Sequence, residues 1–256
     1  KNGEMSVVAG VPPDYFSETG QRWGNPHYDW KYLKRTGFKW WVDRIKTQDE
    51  LFDIVRIDHF RGFEAAWEIP ADEDTAINGQ WVKAPGHALL KAITKDCSSI
   101  SLVAEDLGII TEEVDALRCE FGLPGMKILQ FAFDGSSDNL YLPHNHEQNS
   151  IVYTGTHDND TTLGWFNALN DHDKYYLYEY LGFSKTSMPF TLIGTALSSV
   201  ANLAIIPMQD ILEMGSEHRM NIPGTCEGNW TWSFNWGQVT ESHSKRLSTL
   251  ISLFGR

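Results

Sequence analysis

Apolar residues gather into short runs along this chain, each closed by a polar or glycine-marked turn. The runs are FDIVRID (52–58), SLVAEDLG (101–108), MKILQFAF (126–133), SIVYTGTHD (150–158) and LAIIPMQDIL (203–212). Their length and β-branched content predict five buried strands. Helical patterns lie between several of them. GHALLKAITKDC follows Pro85, and in TEEVDALRCEFG Thr111 is placed to cap, acids fill the first turn and Gly122 is placed to stop the helix. Strand, helix and strand at this spacing predict a parallel sheet. The connection DGSSDNLYLPHNHEQN (134–149) carries no helical period and reads as irregular, while the longest helical region runs over 160–183 and resumes over 189–202. There is no internal repeat, low-complexity tract or Pro/Ser-rich linker.

The first fifty residues follow neither period. VPPDYFSETGQRWGNPHYDWKYL (11–33) holds too many Gly, Pro and aromatic residues for a regular element, and too many aromatics for an ordinary linker. It reads as a functional loop. Pro12 and Pro13 stiffen its entry and Gly20 and Gly24 permit tight turns, while Tyr15, Phe16, Trp23, Tyr28 and Trp30 supply flat faces that stack on sugar rings or pack a core. The expected organisation is thus a loop region over 1–50 and a main body over 51–256.

A chain of 256 residues with 41% hydrophobic content can bury a real core, as one large α/β domain or two smaller ones. Its 34 acids against 21 Lys and Arg give a formal net charge of −13, which argues against a nucleic-acid backbone as partner and for a neutral or cationic substrate. Cys97, Cys119 and Cys226 show no CxxC or CxxH spacing, so neither a disulfide framework nor a zinc site is indicated, and a reducing compartment fits. No metal-ligand cluster, membrane-length apolar run or signal peptide is visible. The chain opens on Lys1 rather than Met, which reads as a portion of something longer.

The chemistry concentrates where the strands end. Arg56 and Asp58 lie two apart and so share a strand face, where the cation favours an ionised carboxylate; His59 and Arg61 follow. Alone, this stretch reads equally as a structural ion pair. Acids, however, close three of the five predicted strands: Asp58, Glu105 and Asp158. In a parallel α/β barrel the carboxyl ends of all strands converge on one face. Converging carboxylates suit glycoside chemistry, in which one ionised acid attacks the anomeric carbon and a second, protonated at rest, serves the leaving oxygen.

RIDHFRGF, AEDLG, GTHDN and PDYFSETGQRWGNPHYDW together closely resemble the 4-α-glucanotransferases of glycoside hydrolase family 77, the amylomaltases or disproportionating enzymes, with GMKILQF and NIPGTCEGNW as linking segments. The resemblance implies a (β/α)8 TIM barrel of the α-amylase superfamily, here truncated at its N-terminus so that about strands 4 to 8 remain. It implies a retaining double displacement between α-1,4-glucans such as maltooligosaccharides, starch and glycogen. Asp58 would be the nucleophile, Glu105 the general acid/base and Asp158 the transition-state stabiliser. Arg56 would orient Asp58, His157 would contact the sugar beside the scissile bond, and His59 would support the site from behind. Tyr15, Phe16, Gln21 and Trp23 would bind glucan from the loop, and Phe131 would either line the sugar site or pack the core. No cofactor, metal, nucleic acid or membrane is implied, and the compartment would be cytoplasm or plastid stroma.

Two departures stand out. Family members have about twice as many residues, and Ser233 after NWTW replaces an expected basic residue. A barrel lacking its first strands needs its missing N-terminal portion for closure, so the isolated chain is not expected to be a competent enzyme. Two other functions share the acids: a hydrolase of the α-amylase superfamily, and an inactive fragment or glucan-binding protein. The aromatic loop favours transfer over the first, and the intact acid set opposes the second.

Overall fold

The computed structural model describes residues 4–14, 17–182 and 187–256. They form two compact units, Lys1–Gly125 and Met126–Arg256. In the first unit β1 (Val7–Val11), β2 (Gln21–Arg22), α1 (Trp30–Arg35), α2 (Lys39–Asp49), β3 (Ile54–Ile57), β4 (Ala65–Pro70), β5 (Gln80–Lys83), α3 (Gly86–Asp96), β6 (Ser101–Ala104) and α4 (Glu112–Glu120) follow in order. β3 and β6 pair in parallel, with Ile54 opposite Ser101 and Ile57 opposite Ala104. Over this pair pack α2, α3 and α4, whose Val42, Ile45, Leu89, Leu90, Ile93, Val114 and Leu117 form one core with Ile57, Leu102 and Ala104. Leu89, Leu90 and Ile93 fall on one helical face, which is why α3 is apolar toward the strands and polar outside.

A second sheet in this unit is antiparallel, in the order β2, β1, β4, β5. Val7 pairs with Pro70 and Gly10 with Trp67, and Ala65 pairs with Lys83. Gly10 has a structural reason: a Cβ there would lie 2.1 Å from the Gln21 carbonyl oxygen across the β1–β2 pair.

The second unit takes β7 (Gly125–Ile128) from its first residues, then β8 (Ser150–Tyr153), α5 (Thr162–Ala168), α6 (Asp171–Leu181), α7 (Phe190–Ser198), β9 (Leu203–Ile205), α8 (Met208–Ile211) and α9 (Glu241–Phe254). β7, β8 and β9 form a sheet in that order, with β8 and β9 parallel. Val152 joins Leu129, Leu177, Leu192 and Ala196 in its core, while Phe190, Ile193 and Leu197 of α7 pack on Leu247, Leu250 and Ile251 of α9. No helix of the described residues is long and apolar enough to cross a membrane.

All five strands read from the sequence form, though shorter than the apolar runs: β7 passes into a buried 3₁₀ turn at Leu129–Phe131 and the run of β9 ends in α8, while the other three pass into strand-end loops. α3 and α4 also form as read, with Glu112, Glu113 and Asp115 in the first turn of α4 and Gly122 at φ +64° just past its end. The long helical region divides at Asn170, whose side chain accepts from the Asp173 N–H and starts α6. The antiparallel sheet was not anticipated: β4 is only partly buried and β5 exposed, so neither carries a clean period of two. Nor were α1 and α2, set within the stretch read as loop. Asp29 caps α1 through the Tyr32 N–H, and α2 buries only Trp41, Val42 and Ile45, too narrow a stripe to stand out beside its polar residues.

Leu89 is fully buried at the centre of the first core. Leu89→Ala should lower the unfolding free energy by about 2–5 kcal/mol, read as a reduced urea midpoint with unchanged slope, whereas Lys91→Ala on the outer face of the same helix should move it by less than about 0.5 kcal/mol.

Candidate active site

The register of β3 and β6 brings two carboxylates together. Because Ile57 stands opposite Ala104, the next residues, Asp58 and Glu105, leave adjacent strand ends side by side. The alignment extends one step beyond the strands: the Glu105 N–H donates to the Ile57 carbonyl at 2.9 Å and the Phe60 N–H to the Glu105 carbonyl at 3.0 Å. The two acids then meet different surroundings. The Asp58 side chain is 76% exposed, and the Arg56 Nη2 donates to its Oδ1 at 2.7 Å.

Glu105 is half-buried, and its carboxylate accepts from two backbone donors, the His59 N–H at 2.6 Å and the Leu107 N–H at 3.0 Å. Burial pushes its pKa above the usual glutamate value; the two N–H donors and Arg56 pull the other way, and the nearby Asp58 charge adds to the rise. The net shift is upward, toward the protonated form. His59 makes its bond from a left-handed backbone at φ +49°, the turn that swings the chain from β3 toward Glu105. Its ring stands edge-on to Trp23, centroids 4.8 Å apart. Burial, helped by the Arg61 charge and opposed by Asp58, pulls its pKa down from 6.5 to about 4, so the imidazole is neutral at pH 7.

Beside Asp58 opens a cavity of about 420 Å³ walled by flat rings, among them Trp23, Tyr28, Trp30, Trp41, Phe63 and Trp67. Two of its lining residues carry buried nitrogens with no hydrogen-bond partner among the described residues, His27 Nε2 and Trp41 Nε1. Rings with a few polar hooks are a combination suited to a polyhydroxylated ligand.

In the second unit the loop after β8 presents His157 and Asp158. Both its ends are anchored. Asp210, almost wholly buried, accepts from Thr154 Oγ1 (2.6 Å), the Thr162 N–H (2.8 Å) and Thr162 Oγ1 (2.7 Å), and burial raises its pKa. At the far end Gln130 Nε2 donates to the Asp160 carbonyl and Ser216 Oγ to its carboxylate. Between these anchors, Asn221 Nδ2 donates to Asp158 Oδ1 at 2.6 Å and Arg219 Nη2 to the Asp158 carbonyl at 2.9 Å, and His157 Nε2 lies 3.4 Å from Asp158 Oδ2.

The structure thus gathers Arg56, Asp58, His59, Glu105 and Trp23 in one unit, with Gln21 accepting from the Trp23 indole N–H at 3.1 Å, and sets His157 with Asp158 in the other. Phe131 closes a 3₁₀ turn after β7 and packs against Tyr141 at 5.5 Å. Tyr15 and Phe16 lie outside the described residues. Sequence reasoning missed Arg219, Asn221 and Trp230, the last 5.0 Å from the His157 ring. Asn221 and Trp230 are the first and last residues of NIPGTCEGNW, which was read as a linking segment, and Arg219 lies two residues before it. No group of three or more His, Cys, Asp or Glu among the described residues is placed to hold a metal ion.

Comparisons with known proteins agree on one family. A family model described as 4-alpha-glucanotransferase, of glycoside hydrolase family 77, matches residues 2–239. The 4-alpha-glucanotransferase of Thermus thermophilus is 52% identical over 98% of this chain and 52% of its own length. The chloroplastic/amyloplastic 4-alpha-glucanotransferase of Solanum tuberosum is 49% identical over 100% of this chain and 45% of its own. The chain therefore spans about half the length of the curated relatives it matches. Among solved structures, an amylomaltase from Streptococcus agalactiae in complex with acarbose superposes with a TM-score of 0.95 at 38% identity, over 98% of this chain and 51% of that one. An amylomaltase from Corynebacterium glutamicum, 18% identical, shares the fold with a TM-score of 0.76 over 96% of this chain and 42% of its own.

The electrostatics of His59 carry a stability prediction. Its folded-state pKa is depressed, so its contribution is present above pH 6.5 and lost as pH falls through about 4, a difference of about 3 kcal/mol. Glu105, raised in the folded state, acts in the opposite sense: its contribution is present below 4.5 and lost as pH rises through its folded value. Asn tolerates the left-handed backbone and keeps the N–H to Glu105. His59→Asn should therefore remove up to about 3 kcal/mol of the acid destabilisation between pH 6.5 and 4, measured as urea midpoints across that range; an unchanged pH profile would refute the buried, neutral imidazole.

Proposed function

Because this chain belongs to the 4-alpha-glucanotransferase family, we propose that it carries the acid set of a retaining α-1,4-glucan transfer. The observation that supports this most is the pairing of Asp58 and Glu105 at matched strand ends in opposed environments, one exposed and held by a guanidinium, the other desolvated. Two carboxyls whose surroundings push their pKa values apart are suited to divided roles.

In the first half-reaction the Asp58 carboxylate attacks the anomeric carbon while protonated Glu105 gives its proton to the departing glycosidic oxygen. One C–O bond forms as the other breaks, leaving a glycosyl ester on Asp58 and a free chain end. In the second, the Glu105 carboxylate takes the proton from the hydroxyl of an acceptor chain, which attacks the same carbon and releases Asp58. Arg56 holds Asp58 ionised and oriented. Asp158, fixed by Asn221 and Arg219, stabilises the positive charge that develops on the sugar, and His157 holds a sugar hydroxyl beside it. The ring-walled cavity next to Asp58, with Trp23 at its rim and Gln21 behind, holds a sugar and keeps water from the ester. By resemblance to the family, Tyr15, Phe16 and Phe131 are proposed as further glucan contacts. No step requires a cofactor.

We further propose that β3, β6, β7, β8 and β9 supply strands four to eight of an eight-stranded barrel. Residues 1–50 then act as a substrate-binding insertion and 51–256 as the catalytic barrel portion, closed by a segment equivalent to the remaining half of the relatives. The partners are α-1,4-glucans, in cytoplasm or plastid stroma.

Joined to the N-terminal half of a relative, the chain should convert maltotriose to glucose and a ladder of longer glucans with retained anomeric configuration; glucose and maltose alone would mean hydrolysis and overturn the reading. Asp58→Asn should lower that transfer by about 10³-fold or more and prevent a trapped glycosyl adduct.

A further inference from the structure

Glu105 accepts from N–H groups on two separate stretches of chain, His59 on the turn after β3 and Leu107 on the loop after β6. Among the described residues the last main-chain bond between these stretches runs from Phe60 to Glu105. The loop that carries Leu107 is left to be held by side chains, and two arginines hold it. At its start the Arg118 Nε lies 3.5 Å from Asp106 Oδ2, both side chains being largely buried, and a Cβ at Gly125 would fall 2.2 Å from the same oxygen. At its far end the Arg61 Nη1 donates to the Ile109 carbonyl at 2.6 Å. Arg61 stands two residues after His59, and Ile109 two residues after Leu107. One side chain bridges the stretches that carry both donors.

Arg61 is itself aimed. The residue is buried, and its guanidinium lies 3.8 Å above the ring of Trp81 on β5. Packing alone does not account for it: the Nε is buried with no hydrogen-bond partner among the described residues, and an uncharged side chain of the same length would cover Trp81 at lower cost. Nor does its charge bear on Glu105 directly. The charged groups that act on Glu105 are Asp58 and Arg56, while Arg61 faces Glu64, Lys83 and the His59 ring.

We propose that Arg61 is a positioning residue for Glu105: by tying Ile109 to the turn at His59, it keeps the Leu107 and His59 N–H groups on the carboxylate. Both donors favour the ionised form against burial, so loosening either should carry Glu105 further toward the protonated form. In the proposed transfer Glu105 gives up a proton in one half-reaction and takes one in the other, and a carboxyl that holds its proton too firmly is a poor base in the second. That consequence rests on the glucan-transfer reading; the brace itself does not.

The test uses this chain with its glutamate carboxyl carbons labelled with ¹³C, the Glu105 signal being assigned by its absence in Glu105→Gln. Arg61→Met removes the donor and the charge and keeps the length. Arg61→Lys keeps the charge, but an ammonium cannot lie flat on Trp81 while donating to Ile109 as the planar guanidinium does. Both should raise the Glu105 titration midpoint, by about half a pH unit or more. A midpoint raised in Arg61→Met and unmoved in Arg61→Lys makes the effect one of charge and overturns the brace, as do unmoved midpoints in both. Trp81→Leu, on an exposed edge strand, removes only the platform and should move Glu105 the same way by less; if Arg61→Met does not fold, an unmoved midpoint in Trp81→Leu overturns the proposal. In the chain joined to the N-terminal half of a relative, the alkaline limb of the transfer rate should rise with the titration midpoint. A midpoint that moves in a protein without transfer activity at any pH supports the brace and removes the glucan reading.

Discussion

Two hydrogen bonds at the ends of β3 and β6, from Glu105 to Ile57 and from Phe60 to Glu105, fix everything that the first unit does chemically. Strand side chains alternate between faces, so a slip of one residue between these strands would turn Asp58 and Glu105 to opposite sides. The core beneath resists such a slip: Ile57, Leu102 and Ala104 are buried against α2, α3 and α4, and shifting one strand would bring polar positions into that contact. The placement of the carboxylates is thus enforced by apolar packing several ångströms away, and no direct interaction between them is needed.

The same local geometry separates their electrostatics. Asp58 projects into solvent and gains a guanidinium, whereas Glu105 withdraws behind the turn at His59 and gains two N–H donors with a larger burial penalty. The donors prevent that penalty from becoming an unsatisfied buried charge. In the second unit Asp210 shows the structural version of this arrangement: a carboxylate deeper still, satisfied by threonines alone, which serves to pin a loop.

What could be read in advance divides along physical lines. The buried parallel strands and their terminal acids were legible because burial on both faces writes a continuous apolar run, and the acid marks where the run meets water. β4 and β5 were not, because they are only partly covered and lack the alternation that a half-buried strand should show. Arg219 and Asn221 were missed for another reason: they act through contacts with a residue some sixty positions earlier in the chain, and no local period encodes such a partnership. His59 was read as a supporting residue, and the structure gives that support a form, since its main chain grips Glu105 while its ring meets Trp23. A backbone contact of this kind leaves no trace in side-chain chemistry.

The left-handed conformation of His59 has an evolutionary consequence. Position 59 is filtered first by backbone shape: β-branched residues are excluded from φ near +50°, whatever their polarity. Among the single-base neighbours of a histidine codon, only Asn and Asp enter that region readily, and Asp would bring another negative charge against Glu105. The genetic route away from His59 narrows to one step, through asparagine, and a lineage that takes it exchanges the ring against Trp23 while retaining the grip on Glu105.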